Sequence, residues 1–250
     1  MGKGSLVIFQ HIACEGPGRF LDYAIRWGVP VRQVAVDQGE PLPHLWQVGA
    51  VLVLGGPMNV DEEARYPWLR EETVWLKKAI ALGIPVLGVC LGGQLLAKAA
   101  GGRVTRSVAK EIGLFEVELT PAGREDPLFS GFPQRFPVFQ WHGDTFSDLG
   151  PGILLARGAP CEHQAFRVGT LAYGVQFHLE VTCSMIREWI KEYSEEVHKE
   201  GLETEKLVGE FVSRESLLDA LAGLLWYNFL SVAGMLEKDK RGGSKEKVDL

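Results

Sequence analysis

The sequence is poor in cysteine, and its few cysteines lie far apart. Only four occur in 250 residues, at Cys14, Cys90, Cys161 and Cys183, and no two of them form a C-x-x-C pair. This spacing is typical of reduced thiols and favours neither a disulfide framework nor a zinc cluster. We therefore expect no structural metal site.

Long apolar runs and targeting signals are also lacking. No stretch reaches the ~18 apolar residues of a membrane span, and the N-terminal "MGKGSLVIFQH" has too short an apolar run for a secretory signal. The formal net charge of −6 gives no excess of basic groups of the kind that nucleic acids and anionic membranes attract. The sequence thus predicts a cytoplasmic protein that binds neither nucleic acid nor membrane.

What the sequence does contain is an alternation of short apolar runs and helical patterns. Runs rich in β-branched residues, namely "SLVIFQH", "VRQVAV", "AVLVLGG" and "IPVLGVC", are predicted as buried parallel strands, with helices over 18–27 and 67–82 between them. Later runs, "GLFEVELT", "FPVFQWHGD", "ILLARG" and "AFRVGTLAYGVQFH", predict an antiparallel portion. The predicted fold class is α/β, with a mainly parallel sheet and some antiparallel strands.

The chain is predicted to consist of one main domain and two C-terminal segments. Residues 1–200 form the domain and end with the helical run "CSMIREWIKEYSEEVHKEG". Residues 201–235 are predicted as a helical appendage around "ESLLDALAGLLWYNFLSVAG", and the charged stretch 236–250 as a disordered tail. The apolar stripe of the appendage could form a dimer contact or dock a partner, but packing on its own domain is the favoured interpretation.

Cys90 lies at the centre of "GVCLG", which follows an apolar strand and precedes a helical pattern. Small residues two positions before and after a nucleophile allow a tight strand-to-helix turn that exposes its side chain. The dipole of the following helix favours a thiolate there, and the N–H of Leu91 is free to face an oxyanion. A buried cysteine packed between glycines explains the motif about equally well, because free cysteine is often buried.

The segment "FHLEV" supplies a candidate base. His178 and Glu180 lie two residues apart at the end of an apolar strand run, so their side chains are expected on the same face. Glu180 could then orient the imidazole of His178 while the other ring nitrogen faces the Cys90 thiol. Alone, the pair is more often an incidental strand-end histidine and glutamate, but together with the elbow it favours catalysis.

These two segments, "GVCLGGQLLAKAAGG" and "GVQFHLEV", resemble the class I glutamine amidotransferase family over about residues 5–199. The resemblance implies a flavodoxin-like open twisted sheet with helices on both faces. It also implies that Cys90 is the nucleophile, His178 the general base and acid, and Glu180 its orienting carboxylate. The early "QHIACEGPGRF" segment is similar to the stand-alone branch of the family that is related to the amidotransferase domain of guanylate (GMP) synthase.

The resemblance also assigns residues around the substrate. "LVLGGPMNV" matches the Gly-Gly-Pro loop of the family, which implies that the backbone N–H of Gly56 is a second oxyanion donor; a plain Gly-Pro turn is the alternative. "QWHGD" matches a segment that flanks the glutamyl pocket. The substrate-binding residues implied in this way are Gln94, His142, Gly143 and Asp144. Gln94 could instead be a polar residue of the first helical turn, and His142 a packed strand histidine.

The activity implied by the resemblance is attack by Cys90 on a γ-glutamyl amide, through a γ-glutamyl thioester. The chemistry requires no metal or organic cofactor, and the sequence contains no P-loop for ATP. The ligand is glutamine or another small γ-glutamyl compound, and a separate synthase subunit could receive the ammonia. A free-standing γ-glutamyl peptide hydrolase and a non-catalytic regulatory protein that kept the fold are the alternatives.

Overall fold

The computed structural model describes residues 4–236, and every structural statement below refers to these residues. The predicted tail lies outside the described residues from position 237 onward. No described helix is long and apolar enough to cross a membrane.

Strands and helices alternate through the first half of the chain, as the sequence predicts. The strands are β1 (Ser5–Gln10), β2 (Val31–Ala35), β3 (Val48–Val53), β4 (Val86–Val89), β5 (Arg103–Leu119), β6 (Arg135–Asp148), β7 (Ile153–Arg157), β8 (His163–Val168) and β9 (Ala172–Val175). The helices are α1 (Gly18–Arg26), α2 (Trp68–Ala81), α3 (Leu91–Ala99), α4 (Pro121–Glu125), α5 (Cys183–Glu192), α6 (Ser194–Lys199) and α7 (Thr204–Val232).

The strands form one nine-stranded sheet in the order β2-β1-β3-β4-β9-β8-β7-β5-β6. Every neighbouring pair from β2 to β9 is parallel, and every pair from β9 to β6 is antiparallel. The predicted α/β class, with a parallel sheet completed by antiparallel strands, is confirmed. The topology also brings the C-terminal ends of β1, β3, β4 and β9 to one edge, where ligands bind in open α/β sheets.

The core lies on both faces of the sheet. In β1, Leu6 and Ile8 contact the apolar cluster on one face, while Val7 and Phe9 contact the cluster on the other. Alternation within a fully apolar strand means that both faces are covered, because side chains along a strand point to opposite sides. Helices α1, α5 and α7 pack on the first face, and α2 and α3 on the second.

Two predicted strand segments differ from the observed strands. Strand β5 begins at Arg103, whereas the sequence pattern predicts a strand only from Gly113. The pattern misses residues 103–110 because none of their side chains is buried, so the apolar alternation that marks a strand is missing there. The run "AFRVGTLAYGVQFH" is not one strand but two, β8 and β9, which are joined by a turn at Gly169 with φ of 60°.

The C-terminal helix α7 packs on its own domain, in agreement with the favoured interpretation. It spans Thr204–Val232, inside the predicted helical appendage 201–235. Trp226 stacks on Phe20 of α1 with ring centroids 4.8 Å apart. The amide of Asn228 donates hydrogen bonds of 2.9 and 2.8 Å to two backbone carbonyls of the 128–130 turn. Helix α7 therefore contributes to the same core as α1.

Candidate active site

Cys90 occupies a strained turn between β4 and α3. Its φ of 52° and ψ of −110° make it the one non-glycine residue with positive φ among residues 4–236. Such a conformation costs roughly 1–3 kcal/mol and persists only where the surroundings impose it. The N–H of Cys90 donates to the carbonyl of Val175 at 2.8 Å, which ties the turn to the end of β9.

The two glycines of the elbow are required by close backbone packing. A Cβ built on Gly88 would lie 2.4 Å from the carbonyl oxygen of Gly92. A Cβ built on Gly92 would lie 2.1 Å from the carbonyl oxygen of Val53 in β3. Both distances are far below van der Waals contact, so no side chain fits at either position. The "GVCLG" frame is therefore needed to bring β4, α3 and β3 together around Cys90.

His178 and Glu180 are paired, although they do not lie on a strand. Strand β9 ends at Val175, and His178 is held by a hydrogen bond of 2.8 Å from its N–H to the carbonyl of Phe139. Its Nδ1 contacts Glu180 Oε1 at 2.6 Å, and both side chains are buried. The expected contact is present, but the irregular segment after β9 makes it, because the strand on which the expectation relied has already ended.

The ring of His178 lies beside Cys90. A Cβ built on Gly55 would be 3.1 Å from His178 Cε1 and 3.6 Å from Cys90 Cβ, so all three residues meet at one point. Burial alone would lower the pKa of His178, but the Glu180 carboxylate and the Cys90 sulfur outweigh burial and raise this pKa well above its usual value. The second ring nitrogen, Nε2, is buried and makes no hydrogen bond in the described part of the chain. This nitrogen is therefore available to exchange a proton with the sulfur.

The two predicted oxyanion donors belong to two segments near Cys90, the start of α3 and the Gly55-Gly56 loop. Leu91 is the first residue of α3, so its N–H belongs to the helical turn that has no acceptor within the helix. Gly56 lines the same cavity as Cys90, and a Cβ built on it would lie 3.0 Å from a methyl group of Leu91. The structure thus places both backbone positions beside the thiol.

The predicted substrate-binding residues line this cavity together. Gln94, His142, Gly143 and Asp144 all face it with Cys90. The Gln94 side chain donates to the carbonyl of Asp144 at 2.9 Å, which joins α3 to β6. His142 is buried and bonded to Glu111 at 2.8 Å, so it is also a packed strand histidine.

These features coincide with a match to a known family. The sequence profile described as glutamine amidotransferase class-I matches residues 20–192. The chain belongs to this family.

Two proteins of similar sequence support the assignment. The glutamine amidotransferase-like protein YfeJ of Salmonella typhimurium is 31% identical over 191 residues, which cover 75% of this chain and 80% of that protein. The glutamine-hydrolysing GMP synthase of Thermococcus kodakarensis has one subunit that is 43% identical over 100 residues, which cover 39% of this chain and 52% of that subunit. This amidotransferase-like domain is thus related to the glutamine-hydrolysing part of GMP synthase.

The fold is shared with solved members of the family. A glutamine amidotransferase from Thermotoga maritima superposes with a TM-score of 0.84 at 31% identity, over 93% of this chain and 99% of that one. A second, from Methylobacillus flagellatus, gives 0.81 at 27% identity, over 97% and 98% of the two chains. The flavodoxin-like architecture that the resemblance implies is confirmed.

The sequence did not indicate two residues that line the cavity, Glu15 and Tyr193. Glu15, in the loop after β1, lines the cavity, and its Oε2 would be 2.4 Å from a Cβ built on Gly55. Its Oε1 accepts a hydrogen bond of 2.6 Å from the Tyr193 hydroxyl. Burial raises the pKa of Glu15, an effect that nearby His178 partly offsets. The position of Glu15 just after a strand at the ligand-binding edge was the one signal in the sequence.

One cluster outside the triad has the chemistry of metal ligands. A carboxylate oxygen of Glu111, a ring nitrogen of His142 and the sulfur of Cys161 all lie within 4.8 Å of one another. The Glu111 carboxylate already accepts hydrogen bonds from His142, from Gln164 and from the Cys161 N–H. A metal would have to displace these donors. The cluster is therefore a hydrogen-bond network behind His142.

None of the other three cysteines has the positive φ of Cys90. Burial raises the pKa of the Cys14 and Cys161 thiols, which disfavours their reactive thiolate forms. Cys183 is the first residue of α5 and is partly exposed.

Proposed function

We propose that this protein hydrolyses the side-chain amide of glutamine, or of a related γ-glutamyl compound, with Cys90 as nucleophile. The observation that carries the proposal is the buried Glu180-His178 pair beside a cysteine held at positive φ in a strand-to-helix elbow. A cysteine that only fills space does not need this strained backbone or an adjacent imidazole. Family membership supports the same chemistry.

The reaction divides into two steps at the same centre. The Cys90 thiolate attacks the γ-carbonyl carbon, and the carbonyl oxygen becomes an oxyanion between the N–H groups of Leu91 and Gly56. The C–N bond then breaks, and His178 Nε2 delivers a proton to the departing amine, which leaves a γ-glutamyl thioester. In the second step His178 takes a proton from water, the hydroxide attacks the thioester, and glutamate and the thiolate are released. Each step uses only side chains and backbone groups of this chain.

A larger leaving group is the second candidate, and the position of Glu15 favours it. The Glu15 carboxylate and the Tyr193 hydroxyl line the cavity next to His178, where the amine departs. Hydrogen-bonding groups there could hold the amine of a γ-glutamyl peptide or amide, whereas ammonia requires little more than an exit. With glutamine as substrate, a separate synthase subunit would receive the ammonia, as the relationship to GMP synthase suggests.

The experiment that tests the proposal compares amine release from the two substrate classes. Purified protein is incubated with glutamine and with a set of γ-glutamyl peptides, with Cys90→Ala as the blank. Ammonia from glutamine above the blank supports a glutaminase, and peptide cleavage with negligible glutamine hydrolysis supports the second candidate. Equal background release by the wild type and Cys90→Ala from every substrate would overturn both.

A non-catalytic role is tested by the reactivity of the thiols. If Cys90 is activated, iodoacetamide labels it near neutral pH faster than it labels Cys14, Cys161 or Cys183, as mass spectrometry of tryptic peptides would show. Equal slow labelling of all four cysteines would favour a regulatory protein that kept the fold.

A further inference from the structure

A second buried histidine-carboxylate pair lies behind the Gly55-Gly56 loop, outside the catalytic triad. His11 follows β1 directly, and its Nε2 contacts Glu72 Oε2 of α2 at 3.0 Å. Its Nδ1 contacts the carbonyl oxygen of Gly55 at 2.9 Å. Both side chains are fully buried, and the ring stacks on Trp68 with centroids 5.1 Å apart and planes 6° from parallel.

The contact with Gly55 requires His11 Nδ1 to carry a proton. A backbone carbonyl oxygen only accepts hydrogen bonds, so Nδ1 must donate to it, while Nε2 is bonded to Glu72. The pKa of His11 agrees in direction: burial lowers it, but the Glu72 charge and the hydrogen bonds from both nitrogens outweigh burial and raise it. His11 therefore joins the Glu72 carboxyl group to the Gly55 carbonyl through its two ring nitrogens.

The carbonyl that His11 holds belongs to the peptide unit whose N–H is the proposed oxyanion donor. The Gly55 C=O and the Gly56 N–H share one planar group, and in the described residues the sole cis peptide is Ala159-Pro160, so this group is trans. In a trans peptide the C=O and N–H point in opposite directions. A hydrogen bond to the Gly55 oxygen thus fixes the direction of the Gly56 N–H and polarises it as a donor.

The peptide needs an external restraint because it joins two glycines. Glycine has the widest choice of backbone conformations, so the Gly55-Gly56 unit can rotate more easily than other peptides. A side chain at Gly55 would collide with Glu15 and His178, and one at Gly56 would press on Leu91 and His11. The crowding beside Cys90 therefore demands glycines here, and the restraint has to come from another part of the chain.

Stability alone does not account for this pair. A buried ion pair loses about as much in desolvation as it gains in attraction, and apolar residues of similar size often stabilise a fold equally well. Glu72 also keeps its Oε1 buried without a hydrogen bond in residues 4–236. Packing by itself therefore does not require a histidine and a glutamate at this place.

We infer that His11, supported by Glu72, is a positioning residue that aims the Gly56 N–H at the oxyanion formed when Cys90 attacks. This inference rests on the proposed function. It separates two properties of the site: the reactivity of the Cys90 sulfur, which depends on His178 and Glu180, and stabilisation of the oxyanion, which depends on His11.

The test measures these two properties separately in the same variants. Acylation of Cys90 by γ-glutamyl-p-nitroanilide forms an oxyanion, whereas alkylation by iodoacetamide at carbon forms none. The variants are His11→Ala, which removes both contacts; His11→Asn, whose amide nitrogen occupies nearly the place of Nδ1; and Glu72→Gln, which keeps the packing. His44→Ala, at an exposed histidine, is the matched control.

We expect His11→Ala to lower kcat for acylation about 10- to 100-fold with little change in KM, because loss of a whole oxyanion donor costs ~10²–10³ and here the donor is only misdirected. Alkylation should stay within about twofold of the wild type, and His11→Asn should recover most of the acylation rate. Glu72→Gln should show the same pattern more weakly, and it also serves if His11→Ala does not fold.

Three results would overturn the inference. If acylation and alkylation fall together, the pair is structural; if acylation is unchanged, the pair does not position the donor. If His11→Asn is as slow as His11→Ala, the contact with Gly55 is irrelevant. If wild-type Cys90 is alkylated by iodoacetamide but acylated neither by γ-glutamyl-p-nitroanilide nor by glutamine, the proposed function is refuted. This inference would then fail with it.

Discussion

Replacement of Glu180 by glutamine tests whether the buried carboxylate supports the reactivity of Cys90. Glu180 Oε1 lies 2.6 Å from His178 Nδ1, and the two side chains are 2% and 1% exposed. Glutamine keeps the size of the side chain and an oxygen that can accept from Nδ1, but it removes the charge. The pKa of His178, which Glu180 helps to raise, should therefore fall.

The magnitude follows from the difference between charged and neutral hydrogen bonds. A hydrogen bond to a charged group contributes about 1.5–3 kcal/mol, and one between neutral groups about 0.5–1.5 kcal/mol. Replacing the carboxylate acceptor by a neutral amide should therefore cost the protonated imidazole roughly 1–1.5 kcal/mol of stabilisation. Since ~1.4 kcal/mol corresponds to a factor of ten, transfer of a proton from the thiol to His178 becomes about tenfold less favourable. This is a lower bound, because water screens a buried pair poorly.

The assay is the rate of iodoacetamide alkylation of Cys90 as a function of pH. We expect Glu180→Gln to react about tenfold more slowly than the wild type near pH 7, and the two rates to converge at alkaline pH, where the thiolate forms without help from His178. Glu188→Gln, on the exposed side of α5, is the control for loss of one negative charge. Equal rates near pH 7 would refute the role of Glu180, and a deficit that persists at every pH would indicate loss of access to the sulfur.

Two further predictions concern stability. Gly92→Ala should lower the free energy of unfolding by about 1–3 kcal/mol or more, because its Cβ would lie 2.1 Å from the Val53 carbonyl oxygen. Gly209→Ala, at an open position of α7, should raise the free energy of unfolding by about 1 kcal/mol. Equal unfolding midpoints of the two variants in urea would contradict the crowding at the elbow. Glu15→Gln keeps an acceptor for the Tyr193 hydroxyl and removes a carboxyl group whose pKa is raised by burial. The variant should therefore gain more unfolding free energy relative to the wild type at pH 8 than at pH 4. Because the pKa of Glu15 is raised in the native state, that state binds more protons than the unfolded state. The free energy of unfolding of the wild type therefore falls as pH rises from ~4.5 through the native pKa of Glu15. A gain of Glu15→Gln that does not depend on pH would contradict this prediction.

The elbow and the parallel half of the sheet could be predicted because neighbours in the chain determine them. Close backbone packing requires glycine on both sides of Cys90, and that requirement is visible as "GVCLG". The strands before it are apolar throughout because both of their faces are buried. The spacing of His178 and Glu180 indicated a contact, although a loop rather than a strand provides it.

The first part of β5 could not be predicted in the same way. No side chain of residues 103–110 is fully buried, so they show no apolar alternation even though β6 pairs with part of this segment. The pairing partner, not the local pattern, decides where this strand begins.

The sequence by itself determined the nucleophile's frame, its candidate base and the α/β class, because local sterics and side-chain periodicity govern each of these. The tertiary structure alone decided which distant groups surround them. Tyr193 reaches Glu15 from 178 positions away, and Glu72 reaches His11 from 61 positions away. These contacts depend on how helices and loops meet near the ligand-binding edge of the sheet, and no short pattern of residues encodes such a meeting.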